Sequence, residues 1–470
     1  MANAQESSQI DRQQDRSRRG SPEFLPPNPS VLPSFPNAFY IVLIELEFLN
    51  WETFRTANSY KFSDREKCRP PVFALVRSFS IMQRTVQQIS SSEFPMPKPN
   101  HIEVGSGDVL LLAGTMKGAF VLRSNKQRQQ WEVGGPYFPG RAIYALAYDD
   151  RNGRQRLWAA VNSSYWGSYL SSSDDFGKTW TEPETYGVKF PEAADSSVKQ
   201  IWQIAMGHPD EPDTLYCGVE PAALFKSTDA GENWTLVTGL YDHPHRSQWQ
   251  PGGGGLCLHT ILPDPANSKR LFIAISTGGV YRTDDGGENW QPRNQGVRAQ
   301  FLPEGQQYPE WGQCVHKIVS HPTNPQRMFL QNHWGLYKSE NGGDSWTDIA
   351  NGVPSDFGFA MEVDPNNADS VYIIPLESDE FRCTPEGKLR LYRTQNAGDS
   401  WDAVGNGLPQ ENALETVLRD GLSADSLQPT GIYFGTRSGK LFGSADSGES
   451  WNAILESLPP VVCVKVAQVQ

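Results

Sequence analysis

The chain has 470 residues, 42 glycines, 35 prolines, a tenth of its residues aromatic and a formal net charge of −13. That acidity excludes a nucleic-acid partner and an anionic membrane surface, both of which need a basic face. The apolar run Ala38 to Ile44 stops at Glu45 and is far too short to span a bilayer.

The first thirty residues are polar and rich in Gln, Ser and Arg, without the pattern of a secretory signal. The six cysteines (Cys68, Cys217, Cys257, Cys314, Cys383, Cys463) form no CxxC pair. In a chain this long they read as buried or free thiols of a reducing compartment, which gives a cytoplasmic expectation. Residues 1–104 open on "QESSQIDRQQDRSRRGSPEFLPPNPSVLPSFP", too polar and proline-rich to bury a core, and are expected to be a disordered extension.

From Asp108 onward a repeat governs the chain. A turn segment recurs as "SSDDFGKTW", "KSTDAGENW", "RTDDGGENW", "KSENGGDSW", "RTQNAGDSW" and "GSADSGESW". Its first hydroxyls are Ser173, Ser227, Thr283, Ser339, Thr394 and Ser444, spaced by 50 to 56 residues. One period upstream, "SNKQRQQW" keeps Ser124 and Trp131 but lacks the acid and the glycine. That makes seven units.

Each unit reads as four short strands: an apolar strand such as "CVHKIVS", a turn such as "HPTNPQR", a second and a third strand ("MFLQN", "GLYKS"), the recurring segment, and a fourth strand after the Trp. The fold expected for residues 105–470 is therefore all-β: a single seven-bladed β-propeller of four-stranded antiparallel blades. Only two strands precede the first Trp-bearing segment, "DVLLLAG" and "AFVLR", whereas a spare strand, "VVCVKVAQV", follows the last. The C-terminal strand should close the ring by joining blade one.

Within the recurring segment, the hydroxyl and the acid are placed to accept turn N–H groups, the Gly supplies positive φ, and the Trp fills the gap between sheets. These turns are scaffold. The pattern Ser/Thr-x-Asp-x-Gly-x-Thr/Ser/Asn-Trp resembles the Asp-box, or BNR repeat, of the sialidase-like propeller superfamily, over about residues 105–470. That superfamily also includes xyloglucan-cleaving glycosidases, sortilin-type receptors and a photosystem II assembly factor. The resemblance implies the propeller fold and leaves the activity open. Sialidases of this group clamp a substrate carboxylate with three arginines, the first in Arg-Ile-Pro. No Arg-Ile-Pro is present, and Arg141 in "FPGRAIYAL" stands in another context.

The recurring turns and the "HPTNPQR" turns share one rim, so connections between strands two and three, and between blades, gather on the other. On that rim fall Trp166, Glu220, His333, Trp334, Glu377, Asp379 and Arg382, with two long loops carrying His243, His245, Trp249 and Trp311. Counting back five residues from each first turn adds an inner ring of Tyr144, Gln203, His259, His316, Phe359 and Glu415.

Three functions compete. The leading one is glycosidase-type hydrolysis of a carbohydrate or other polar ligand. Glu220 paired with Glu377 or Asp379 would supply acid and base, and Arg141, the tryptophans, the histidines and Arg382 would bind. The runner-up is a non-catalytic propeller holding a peptide or protein partner. No cofactor is expected; the alternative is a divalent metal at His259 and His316, helped by His243, His245 and a carboxylate. Cys257 and Cys314, each two residues before a channel histidine, read as core packing.

Overall fold

The computed structural model describes residues 98–194 and 196–470; the expected extension lies, up to residue 97, outside the described residues. Among the described residues seven antiparallel sheets follow one another, six of four strands and one of three. The β-propeller is thus realised as expected. Blade five shows the plan: Val315–His321 innermost, then Asn324–Asn332, Leu336–Ser339 and the short outer strand Thr347–Asp348.

Closure is explicit. Val461–Gln468 lies innermost in blade one and pairs antiparallel with Val109–Thr115 from Val109↔Gln468 to Thr115↔Val461. It also touches the inner strands of blade two, Ala142–Asp149, and blade seven, Leu422–Ala424. A second tie crosses the same junction. In blade one's degenerate turn Lys126 stands in place of the acid and Arg128 in place of the glycine, and the Arg128 guanidinium reaches Asp425 of blade seven at 3.1 Å and the Pro429 carbonyl at 2.9 Å. Both charged side chains are buried, so removing either leaves the other uncompensated.

The recurring turns behave as their chemistry requires. In blade four the Thr283 hydroxyl donates to Asp285 Oδ1 at 2.7 Å and accepts the Gly287 N–H at 3.0 Å. The same carboxylate oxygen accepts the Asn289 N–H at 3.0 Å. That N–H, then the Asn289 amide and the Thr283 hydroxyl, hold the Asp285 carboxyl well below the usual range. Gly287 sits at φ 106°, a conformation that costs other residues strain. Trp290 returns its indole N–H to the Gly287 carbonyl at 3.1 Å and is buried against Ile273 and Tyr281. Blades five and six keep the bonding with Asn341 and Asn396 in place of the acid, so the acceptor oxygen matters and its charge does not.

Blade two departs from the plan. After Trp180 the chain makes one ladder bond, Thr181 N–H to the Ser172 carbonyl at 3.0 Å, and then leaves the sheet. Tyr186, Val188 and Phe190 pack instead beside Trp158 and Phe225, between blades two and three. Upstream of Asp108, Ile102 is buried among blade-one and blade-two side chains, so contacts with the propeller begin before residue 105.

Three stability outcomes follow from these contacts. Arg128→Ala is expected to cost about 3–5 kcal/mol in reversible denaturant unfolding, because Asp425 is left buried without its partner. Thr283→Ala, which orphans the Gly287 N–H, is expected to cost about 1–3 kcal/mol, while Asp285→Asn should stay close to the parent.

Candidate functional site

Every inner strand of blades two to six carries a register shift near its start. The residues that slip out of pairing are Tyr144, Trp202, His259, His316 and the pair Phe359–Ala360. A bulge adds one residue to a strand and re-aims its side chain. Here it turns Tyr144, Trp202, His316 and Phe359 into a cavity of about 890 Å³ at the loop-rich end. The loops complete the wall: Gly252–Gly254, Phe301, Trp311, Cys314, His333, Trp334, Arg382, Arg419, Asp420 and Arg437.

The bulge shifts the inner ring by one residue in blade three. Trp202, not Gln203, lines the cavity, and Gln203 instead accepts the Ile261 N–H. His259 is fully buried, with Thr260 Oγ1 and the Val315 carbonyl each 2.9 Å from its ring nitrogens. Burial, followed by the charges of Arg419 and Lys317, pushes it well below the ordinary histidine range. His316 places Nδ1 2.6 Å from the Gly358 carbonyl of the next blade, and burial lowers it to about 3. Each of these rings bridges two neighbouring inner strands.

His243 and His245 do not reach the cavity. They pack on one another and on Tyr281, and His245 stacks on Trp311 with ring centroids 3.9 Å apart. Trp249 is buried and donates its indole N–H to the Tyr281 hydroxyl at 3.0 Å. This group supports Trp311, which does line the cavity. The metal set of His259, His316, His243 and His245 is therefore not assembled: His259 is committed to its own hydrogen bonds, and the other two stand behind Trp311.

Of the acids singled out from the sequence, none lines the cavity. Glu220 accepts the indole N–H of Trp202 at 3.3 Å and lies against Gly255, where an added Cβ would sit 2.6 Å from its Oε1. Glu377 is exposed, its backbone N–H tied to the Cys383 carbonyl. Asp379 is exposed and holds His333 Nε2 at 3.2 Å. Arg141 is bonded to the Tyr169 hydroxyl, and Trp166 stands 48% exposed beside Tyr165; neither is part of the cavity wall.

Of the residues singled out from the sequence, Trp311, His316, His333, Trp334 and Arg382 line this one cavity. The sequence reading missed Arg419, Arg437, Asp420 and Trp202, and it misplaced Cys314. Arg419 ("VLRDG") enters the inner strand of blade seven, and Arg437 ("TRSGK") lies in that blade's connection between second and third strands. Both are loop-rim positions by the rule that selected Trp334. Arg419 spreads over the Trp202 ring at 5.2 Å, and its buried Nε has no hydrogen-bond partner among the described residues. Arg382 lies over Phe359 at 5.5 Å. Asp420 is neutralised by Lys317, 2.6 Å away, with both groups buried.

Cys314 is no core residue. It faces the cavity with Sγ 3.7 Å from His316 Nε2, and its carbonyl accepts the His333 N–H at 2.9 Å. Burial, opposed by Arg419, raises its thiol to about 11. No helix among the described residues is long and apolar enough to cross a membrane.

No family model matches the chain. It is similar to a probable oligoxyloglucan-reducing end-specific xyloglucanase of Neosartorya fischeri, 25% identical over 277 residues, covering 51% of this chain and 32% of the relative. The corresponding enzyme of Emericella nidulans is 24% identical over 300 residues, covering 54% of this chain and 33% of that one. The chain spans about a third of the length of these curated relatives. Among solved structures it aligns with a GH74 enzyme of Niastella koreensis, with TM-score 0.44 and 17% identity over 66% of this chain and 45% of that one. YCF48 from Cyanidioschyzon merolae aligns with TM-score 0.45 and 14% identity over 68% of this chain and 87% of that one.

The lowered pKa of His259 has a pH signature. Its folded value lies below the ordinary 6.5, so the unfolded chain binds the proton first, and stability falls as pH drops below about 6.5. Urea unfolding from pH about 7 to about 5 should show this decline, and His259→Gln should make it shallower, with His316, also lowered, supplying the remainder.

Proposed function

We propose that the chain is a ligand-binding propeller whose cavity takes a carbohydrate carrying an acidic group. The observation that carries this reading is the convergence of Arg382, Arg419 and Arg437 on one aromatic-lined cavity in a chain of net charge −13. Tyr144, Trp202, Trp311 and Trp334 offer faces for sugar rings, whose C–H groups pack on aromatic surfaces while the hydroxyls remain available for hydrogen bonds. The guanidinium groups offer the planar, charged donors that match a carboxylate or phosphate. Among the described residues the one carboxylate on the wall, Asp420, already carries its counter-ion in Lys317 and does not cancel the arginines.

A second reading is glycoside hydrolysis, favoured by the similarity to curated xyloglucanases. It needs two carboxylates flanking the bond, about 5 to 10 Å apart. Glu220 with Glu377 or Asp379 is the pair the sequence offers. Their contacts favour supporting roles: Glu220 steadies Trp202, and Asp379 steadies His333.

Calorimetry of the purified chain against uronic- or sialic-acid-bearing glycans, their neutral counterparts and xyloglucan oligosaccharides separates these readings. The acidic glycans should bind more tightly than the neutral ones. Arg419→Ala and Arg437→Ala should each weaken that binding about 10- to 100-fold, the worth of a hydrogen bond to a charged group. Acidic glycans bound no more tightly than neutral ones, and equally by parent and arginine variants, overturn the reading. Release of reducing ends from xyloglucan, abolished in Glu220→Gln, establishes the hydrolase instead. Preferential capture of peptides with free C-terminal carboxylates would make the ligand a peptide rather than a glycan.

A further inference from the structure

We propose that Cys314, His316 and His333 form a binding site for a thiophilic metal ion, zinc(II) or copper(I), in the wall of the cavity. One ligand atom from each of the three side chains falls within 4.8 Å of the others. Cys314 Sγ and His316 Nε2 are 3.7 Å apart. Two donors bonded to one ion at about 2.3 Å (sulfur) and about 2.0–2.1 Å (nitrogen) stand about 3.6 Å from each other at a tetrahedral angle. The pair thus already has the separation of two ligands of one metal, and that is long for an S–H···N hydrogen bond.

The surroundings orient the donors as a metal site requires. His316 is almost wholly buried and gives its Nδ1 proton to the Gly358 carbonyl, which leaves the Nε2 lone pair facing Cys314. His333 is fixed beside Cys314 by its backbone N–H on the Cys314 carbonyl. Asp379 Oδ2 lies 3.2 Å from His333 Nε2, the carboxylate–histidine contact that aligns a ligating ring and raises its basicity. Binding replaces the thiol proton of Cys314, released to solvent, by a sulfur–metal bond.

The donor set narrows the ion. One thiolate and two imidazoles suit zinc or copper and reject the oxygen-seeking magnesium and calcium. Three protein ligands leave a position open toward the cavity, as metal centres that accept an exogenous ligand do. With copper(I) and the thiolate the centre carries no net charge; with zinc(II) it carries one positive charge, which Asp379 opposes.

The proposal is independent of the carbohydrate reading, because the test uses metal ions alone. The full chain, free of any histidine tag, is stripped with a chelator, checked for fold by circular dichroism and titrated with zinc(II). A second arm uses copper(I) under anaerobic, reducing conditions, and a third uses cobalt(II) as a spectroscopic substitute for zinc. One ion per chain is expected, with a thiolate-to-cobalt charge-transfer band that is lost in Cys314→Ser and kept in Cys217→Ser. The surface variant Asp379→Asn, which leaves all three ligands in place, should lower the affinity about 10- to 100-fold. Absence of saturable binding by either ion, or binding unchanged in Cys314→Ser, overturns the proposal. Relative affinities in the zinc and copper arms decide which ion the site takes.

Discussion

Ring closure is the constraint on which this structure depends. A blade is apolar on both faces, so each sheet is stable only between two neighbours, and a stack left open would expose two apolar faces. The chain meets this by pairing its last strand, Val461–Gln468, with the first repeat strand, Val109–Thr115. Loop-closure entropy grows only slowly with length, so joining segments some 350 residues apart costs little more than joining nearer ones. The Arg128–Asp425 pair then locks blade one to blade seven at the outer turns. In blade one's turn Lys126 and Arg128 occupy the positions of the acid and the glycine, and Arg128 makes this tie between blades.

The cavity is a product of that closure. The inner strands converge on the axis, and their bulged residues occupy a ring whose radius is set by blade number. A bulge near the start of five successive inner strands frees one residue from pairing in blades two to five and two in blade six. His259 and His316 spend ring nitrogens on the next blade, and of the two His316 also lines the cavity, whereas Tyr144, Trp202 and Phe359 present ring surface to it. Substituting His316 therefore perturbs the blade interface and the cavity together, and substituting His259 the interface.

The architecture was legible in the sequence because it depends on repetition. A hydroxyl, an acid or amide, a glycine and a tryptophan recur at a fixed period, and a spare terminal strand can only be explained by a ring. The rim was legible too, since strand order alone assigns each connection to a side, and that rule found Trp311, His333, Trp334 and Arg382. What was lost depends on local irregularity. A bulge shifts facing by one residue and leaves no apolar-polar signature, so Gln203 was read where Trp202 stands. Strict alternation likewise sent Cys314 to the core, although it precedes the bulge at His316 and faces the cavity. The outer strand of blade two was expected from the repeat, but Tyr186, Val188 and Phe190 are better used filling the wedge between blades. The acids were chosen for rim position, and rim position does not say which neighbour a carboxylate will take.

The insertion carrying Asp379 and Arg382 shows how a single loop can serve two parts of a site. Its base is fixed by bonds from Glu377 N–H to the Cys383 carbonyl and from Thr384 N–H to the Glu415 carbonyl. Between those anchors, the Asp379 carboxylate holds His333 while its carbonyl accepts the Nε–H of Arg382. The histidine beside Cys314 and the guanidinium over Phe359 are thus positioned by the same residue. A shift of this loop would move both at once, which ties the sulfur–nitrogen cluster to the arginine-lined wall through one short, hydrogen-bonded segment. An exposed acid in such a position is best explained by what it orients: its backbone sets the direction of one cation and its side chain the direction of one imidazole, and neither task requires it to touch a ligand.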